Sequence, residues 1–226
     1  LYNVKCAIAD AGYKLSYSVL DAEDFFCPQS RQRLFLVGVR KDIGIHFEFP
    51  AFRFPPISVK SAIGDITKTG DLENHEPMKH SQRIIDRLKF IPQGGDLRDV
   101  PAEHQQRRRG NVAEVSGKQS SQSYKRLRED EPSPTVCAMF QAHFIHYSEN
   151  RNLTAREAAR LQTFPDDYLF QGKRVGMSWD QDLSQYQQIG NAVPPKLAYV
   201  LGRTLYDKLY TSNASFGKQD TGAYLL

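Results

Sequence analysis

Gln29-Ser30-Arg31-Gln32-Arg33 is the first stretch whose residue types and spacing suit chemistry. It leads into Leu34-Phe35-Leu36-Val37-Gly38-Val39, a short apolar run rich in strand formers. Alternation along a strand puts Arg31 and Arg33 on one side. Two guanidiniums side by side make a fork for anionic or carbonyl oxygens. A salt-bridged strand edge explains the same pair without function. A second stretch, Gln188-Ile189-Gly190-Asn191-Ala192-Val193-Pro194-Pro195, reads as a tight turn entering a proline-started helix. Small residues and free N–H groups there would let a ligand approach closely, although a plain turn has the same residues. A third stretch runs from Arg151 to Asp166. Thr154-Ala155-Arg156-Glu157 is a capping box, and Arg156 and Arg160 lie one turn apart, as phosphate contacts or as an ion-paired face. His143 and His146 have helical spacing but no third partner, so they are read as ordinary histidines rather than metal ligands. No Gly-rich phosphate loop, G-x-G-x-x-G or H-E-x-x-H occurs.

The elements that must position these residues follow from periodicity. Residues 1–11 read as a helix stopped by Gly12, and Leu15 to Leu20 as a strand. The Arg33–Val39 run fits a strand buried on both faces of a parallel or mixed α/β sheet. Phe47, Phe49, Phe52 and Phe54 alternate with prolines in an extended connector that suits a domain crossing. Ser81 caps a short helix with Ile84, Ile85 and Leu88 on one stripe. Between His104 and Arg128, seven basic residues face a single acid, and serine and glutamine fill much of the rest, as in a loop. A last helix spans roughly Pro195 to Tyr210, and the tail after Ser212 is polar.

Composition sets the frame. The 226 residues are 40% hydrophobic and 25% charged with a net charge of +4, which allows a packed core and a nucleic-acid partner. Three scattered cysteines give no disulfide framework, and no apolar run suits a membrane span. No leader peptide is visible, so a reducing, cytoplasmic setting is expected.

Taken together, these stretches resemble the C-terminal part of the DNA cytosine-C5 methyltransferases. Pro28 to Gly38 is similar to that family's eighth conserved motif, Arg151 to Asp166 to the ninth, and Gln188 to Pro194 to the tenth. Tyr124 to Leu127 followed by Pro132 to Val136 resembles the approach to the ninth motif. The likeness covers residues 1–210 and is weakest between about 60 and 120.

The resemblance implies an α/β fold: the C-terminal strands and helices of a Rossmann-like domain that binds S-adenosyl-L-methionine, with a small, irregular, mainly β target-recognition domain inserted. Residues 1–46 would belong to the catalytic domain, 47–148 to the connector and recognition domain, and 149–226 to the ninth-motif seam and the returning tenth-motif helix. The implied partner is double-stranded DNA of a bacterium or phage, often in restriction–modification. The target cytosine must leave the stack to be reached. A cysteine thiolate then adds to C6, C5 takes the methyl group, and loss of the C5 proton releases the cysteine. Arg33 would hydrogen-bond the flipped cytosine, Arg31 would hold the reacting nucleotide, and Gln29 would support both. Asn191, Ala192 and Val193 would wall the cofactor pocket. Arg107, Arg108, Arg109, Lys125 and Arg126 are the candidate DNA contacts.

The departures are as informative. The family's Pro-Cys-Gln and Glu-Asn-Val motifs and its Gly-rich cofactor motif are absent. Cys27-Pro28-Gln29 has the right letters in another order, so Cys27 is read as a packed apolar residue. Phe26 stands where the family usually has glycine. The expectation is therefore a chain inactive alone. It would be a portion whose N-terminal half is missing, consistent with Leu1 at its start, or the small subunit of a split enzyme. A non-catalytic DNA-binding module is the alternative from another class.

Overall fold

The computed structural model describes residues 2–51, 53–66, 72–104, 124–138, 144–176 and 180–210. Helix α1 (Tyr2–Asp10) ends at Gly12, whose φ of 86° favours a residue without a Cβ. Strand β1 (Tyr13–Asp21) pairs antiparallel with β2 (Gln32–Arg40) over its whole length, from Tyr13 opposite Arg40 to Asp21 opposite Gln32. The expected doubly buried strand is thus corrected: among the described residues its sheet has two strands, and Leu34, Leu36, Tyr17 and Val19 stay exposed.

Between the strands, Asp21 caps a 3-10 turn over Ala22–Phe25. Phe26 follows in the left-handed region at φ 60°, its ring packed on Phe54. A backbone that favours glycine is held here by the burial of an aromatic ring.

Helices α2 (Val59–Ile63) and α3 (Gln82–Leu88) lie in the 47–148 segment with two further 3-10 turns. Strands β3 (Lys125–Arg126) and β4 (Phe144–Ile145) pair in parallel there. Mainly β structure is expected here; among the described residues of this segment, two short α-helices and two 3-10 turns stand beside two strands of two residues each. Ser81 takes the N-cap position of α3 without a side-chain hydrogen bond.

Helix α4 (Ala155–Leu161) carries the expected capping box of Thr154 and Glu157. Helix α5 (Gln185–Asn191) has one of its own, Ser184 with Gln187, and contains Gly190 and Asn191; that stretch is therefore helix end, not an open turn. Helix α6 (Pro195–Tyr210) is the longest among the described residues.

Packing joins these elements into distinct cores. Val59, Ile63, Leu127, Val136 and Phe144 pack with Leu153, Ala158, Leu161, Tyr186 and Ile189, so α4 and α5 share a core with the 47–148 segment. Leu197 and Val200 of α6 pack instead on Leu20, Ala22, Phe25 and Cys27 at the base of the β1–β2 pair. Leu88, Ile91, Val100 and Ile145 form a third cluster. Among the described residues, no helix is long and apolar enough to cross a membrane.

Candidate functional site

The Gln29–Arg33 stretch is held by the segment that follows Pro132. Gln29 and Ser133 form a parallel bridge, with Ser30 N–H donating to the Ser133 carbonyl and Ser133 N–H to that of Pro28. The Gln29 side chain is fully buried. Its Oε1 accepts from Val136 N–H at 2.8 Å, and its Nε2 donates to Gln162 Oε1 at 2.9 Å. Arg31 is also buried: Nη1 donates to the Val136 carbonyl at 2.6 Å and Nη2 to the Gly190 carbonyl at 3.2 Å. One residue, Val136, is thereby gripped at both its N–H and its carbonyl, and no side-chain carboxylate takes part. Burial, then the neighbouring Arg33, lowers the Arg31 guanidinium from its ordinary value. Arg33 itself is exposed and touches the Gln32 carbonyl at 2.6 Å.

Arg31, Arg33, Asn191, Ala192 and Val193 line one cavity of about 230 Å³, closed by Leu34, Phe35, Pro194 and Leu197. The residues singled out for chemistry and those singled out for the cofactor wall therefore meet. None of the described lining residues is acidic: two arginines and Asn191 share the cavity with apolar residues. That donor set fits an anionic group beside an apolar one. A larger groove of about 630 Å³, between Phe26, Phe164, Lys196 and Tyr199, contains none of these residues.

Cys27 lies in the core between Phe25 and α6, and burial pushes its thiol up to about 12. It is a packed residue with no thiolate character at neutral pH.

The arginines of the Arg151–Asp166 stretch are held by partners within the protein. Arg156 is fully buried and donates to the carbonyls of Glu73, Pro165 and Tyr168. Arg151 forms a bidentate pair with Glu157, at 2.8 and 2.7 Å. Burial pushes the Glu157 carboxyl up, but the Arg151 pair outweighs it and holds it below its usual range. Arg160 pairs with Asp166 and Asp65. His146 Nδ1 lies within hydrogen-bond reach of the backbone N–H groups of Ser148 and Glu149, which fixes it as an acceptor. His143 lies outside the described residues, and among those described no cluster could hold a metal ion.

The DNA candidates divide. Arg107, Arg108 and Arg109 lie outside the described residues. Lys125 is half-buried in β3. Arg126 is corrected: it points inward, 6% exposed, with its guanidinium on the carbonyls of Leu88, Ile91, His146 and Glu149 and on Asn150 Oδ1. Sequence reasoning missed Gln162, whose partners come from Gln29 and α5 and leave no local signal.

A family model for C-5 cytosine-specific DNA methylases matches residues 1–207. The type II methyltransferase M.DdeI of Desulfomicrobium norvegicum is 40% identical over 232 residues, covering 87% of this chain and 55% of that protein. The type II methyltransferase M1.HphI of Haemophilus parahaemolyticus is 38% identical over 200 residues, covering 86% and 48%. The chain thus spans about half the length of the curated relatives it matches. A prophage-encoded E. coli protein described as a DNA modification methyltransferase superposes with a TM-score of 0.62 at 20% identity, covering 92% of this chain and 64% of that one. The Entamoeba histolytica methyltransferase EhMeth superposes at 0.51 with 12% identity, covering 95% and 58%.

Proposed function

The chain belongs to the C-5 cytosine-specific DNA methylase family, and from that premise we propose that it is the C-terminal portion of a DNA (cytosine-5-)-methyltransferase. Its elements correspond to part of the Rossmann-like α/β methyltransferase fold of the solved neighbours, of which it covers 64% and 58%. The proposed reaction moves a methyl group from S-adenosyl-L-methionine to C5 of a cytosine flipped from duplex DNA. The relatives named as type II methyltransferases support a place in restriction–modification, with the protein in the cytoplasm beside its DNA.

The observation that carries this reading is the convergence of Arg31, Arg33, Asn191, Ala192 and Val193 on one cavity. Arg33, exposed at the rim, is the residue free to donate to the cytosine. Arg31 gives two of its N–H groups to the carbonyls of Val136 and Gly190, so it shapes the rim and lends it positive charge. Gln29 holds the N–H of the same residue, Val136. Asn191, Ala192 and Val193 would hold part of the methyl donor, which when bound supplies the electrophilic methyl. The nucleophilic cysteine and the glutamate must come from another segment, because the 226 residues contain neither Pro-Cys-Gln nor Glu-Asn-Val. The exposed apolar face of Tyr17, Val19, Leu34 and Leu36 suits such a complement. It favours a single-chain or a split enzyme over an isolated DNA-binding module.

The test is to sequence the source DNA around the codon for Leu1 and to express the chain with the encoded segment that holds both motifs. Tritium transfer to cytosine should be absent with the chain alone, appear with the complement, and vanish again in R33A. Methylation by the chain alone would overturn the inactivity claim. Full activity of complemented R33A would overturn the role of Arg33. Neither motif in the upstream frame or a neighbouring gene would leave only DNA binding.

A further inference from the structure

We infer that Gln162 and Thr163, consecutive residues at the end of α4, are positioning residues that bracket the Asn191–Val193 wall and tie its shape to the segment gripped by Gln29. The inference rests on the reading of that wall as part of the methyl-donor site.

The geometry is directional. Val136 N–H needs an acceptor, which sets the Gln29 amide with its oxygen toward Val136 and its nitrogen toward Gln162. Gln162 must then present its oxygen to Gln29. Its nitrogen is left to donate to the Ile189 carbonyl at 2.8 Å. That same carbonyl accepts from Ala192 N–H, the bond that closes α5 and starts the wall. Both glutamine side chains are fully buried, so no water replaces a lost partner.

The next residue grips the far side. Thr163 sits at φ 69°, a left-handed conformation that a β-branched residue rarely adopts. Its hydroxyl accepts from Lys196 N–H at 3.1 Å, in the first turn of α6. Backbone strain of this kind persists where the surroundings fix it. Two neighbouring residues thus hold the chain just before and just after the three wall residues. Through Gln29, the same α4 end holds Val136, which leads from the 47–148 segment. A displacement of that segment would therefore reach the wall through a continuous set of buried hydrogen bonds.

The test uses residue-resolved amide exchange of the chain and kinetics of the complemented enzyme. In Q162M, the Ala192 amide should lose about tenfold protection, the scale of one buried hydrogen bond. In T163V, the Lys196 amide should lose protection to the same extent, and T163S should restore it. The Glu157 amide, held by Thr154 at the other end of α4, should not change in any variant. Unchanged Ala192 and Lys196 amides, or an equal loss at Glu157, would overturn the bracket. In the complemented enzyme, Q162M and T163V should each raise KM for S-adenosyl-L-methionine about tenfold while kcat stays within about threefold. An unmoved KM beside lost amide protection would overturn the link to the donor site. A complemented wild type without activity would instead count against the proposed function, and the exchange data would still judge the bracket.

Discussion

Replacing Arg126 by lysine separates two roles that arginine can play in a nucleic-acid enzyme. All five of its N–H groups are used: Nε on Ile91 O at 2.6 Å, Nη1 on His146 O and Glu149 O at 2.8 Å, and Nη2 on Leu88 O at 2.8 Å and Asn150 Oδ1 at 2.7 Å. Lysine offers three donors from a single point, so at least two of these acceptors go without. An unpaired buried acceptor costs about 1–3 kcal/mol, which puts the loss in R126K at roughly 2–6 kcal/mol. Against a typical total of about 5–15 kcal/mol, that is a large fraction. The bonds tie the end of α3 to the 146–150 loop ahead of α4, so the loss should appear as a lower urea midpoint of the whole chain. DNA binding by the folded fraction should keep its salt dependence. A phosphate contact would behave in the opposite way. Lysine would serve nearly as well, and R126M would reduce the slope of log K against log salt by about 0.9. An unchanged urea midpoint in R126K together with that reduced slope in R126M would refute the inward clamp.

The remaining predictions concern pH and glycine. Burial holds the imidazoles of His75, His80 and His146 below their ordinary value, so the fold disfavours their protonation. The unfolded chain binds more protons, so stability is full above about pH 6.5 and falls on acidification. The Glu157 and Asp166 carboxylates, held low by Arg151 and Arg160, add a further loss with the same sign at lower pH. Urea midpoints between pH 8 and pH 5 check this, and a midpoint that rises on acidification would contradict it. Gly190→Ala should be severely destabilising, because a Cβ there would overlap the Cys137 carbonyl and the Ala138 amide. Gly202→Ala meets nothing within 4 Å on the exposed side of α6 and should stabilise by about 0.5–1 kcal/mol. Thermal melts of the two variants should move in opposite directions.

Local signals were legible in the sequence, and long-range ones were not. The capping box at Thr154 depends on four consecutive residues and formed as read. The same grammar, Ser184-x-x-Gln187, marks the start of α5, but the glycine in Gly190-Asn191 drew the reading toward a turn. The reason for that glycine is the approach of Cys137 and Ala138 from more than fifty residues away, which no window contains. The apolar composition of β2 suggested burial on both faces, yet composition does not name what covers a strand. Arg126 failed for a related reason: a basic residue in a basic stretch reads as outward until its carbonyl partners are known.

Arginine partners also sort the site from the frame. Arg151 and Arg160 are paired with carboxylates, so their charge is largely cancelled where α4 meets its neighbours. Arg31 is held by two carbonyls, which orient a guanidinium without neutralising it. A carbonyl is a dipole, so the full positive charge of Arg31 remains beside that of Arg33 in a cavity whose described lining holds no acid. Two like charges kept close without a counter-ion are unfavourable in isolation. The arrangement makes physical sense when a negative or strongly polar ligand completes it. The proposed function would supply such a ligand: a nucleotide drawn out of duplex DNA, with its phosphate and the carbonyl of its base. On this account the Glu157–Arg151 pair contributes rigidity, the carbonyl clamp on Arg31 contributes orientation, and the uncancelled charge is the part available to the substrate.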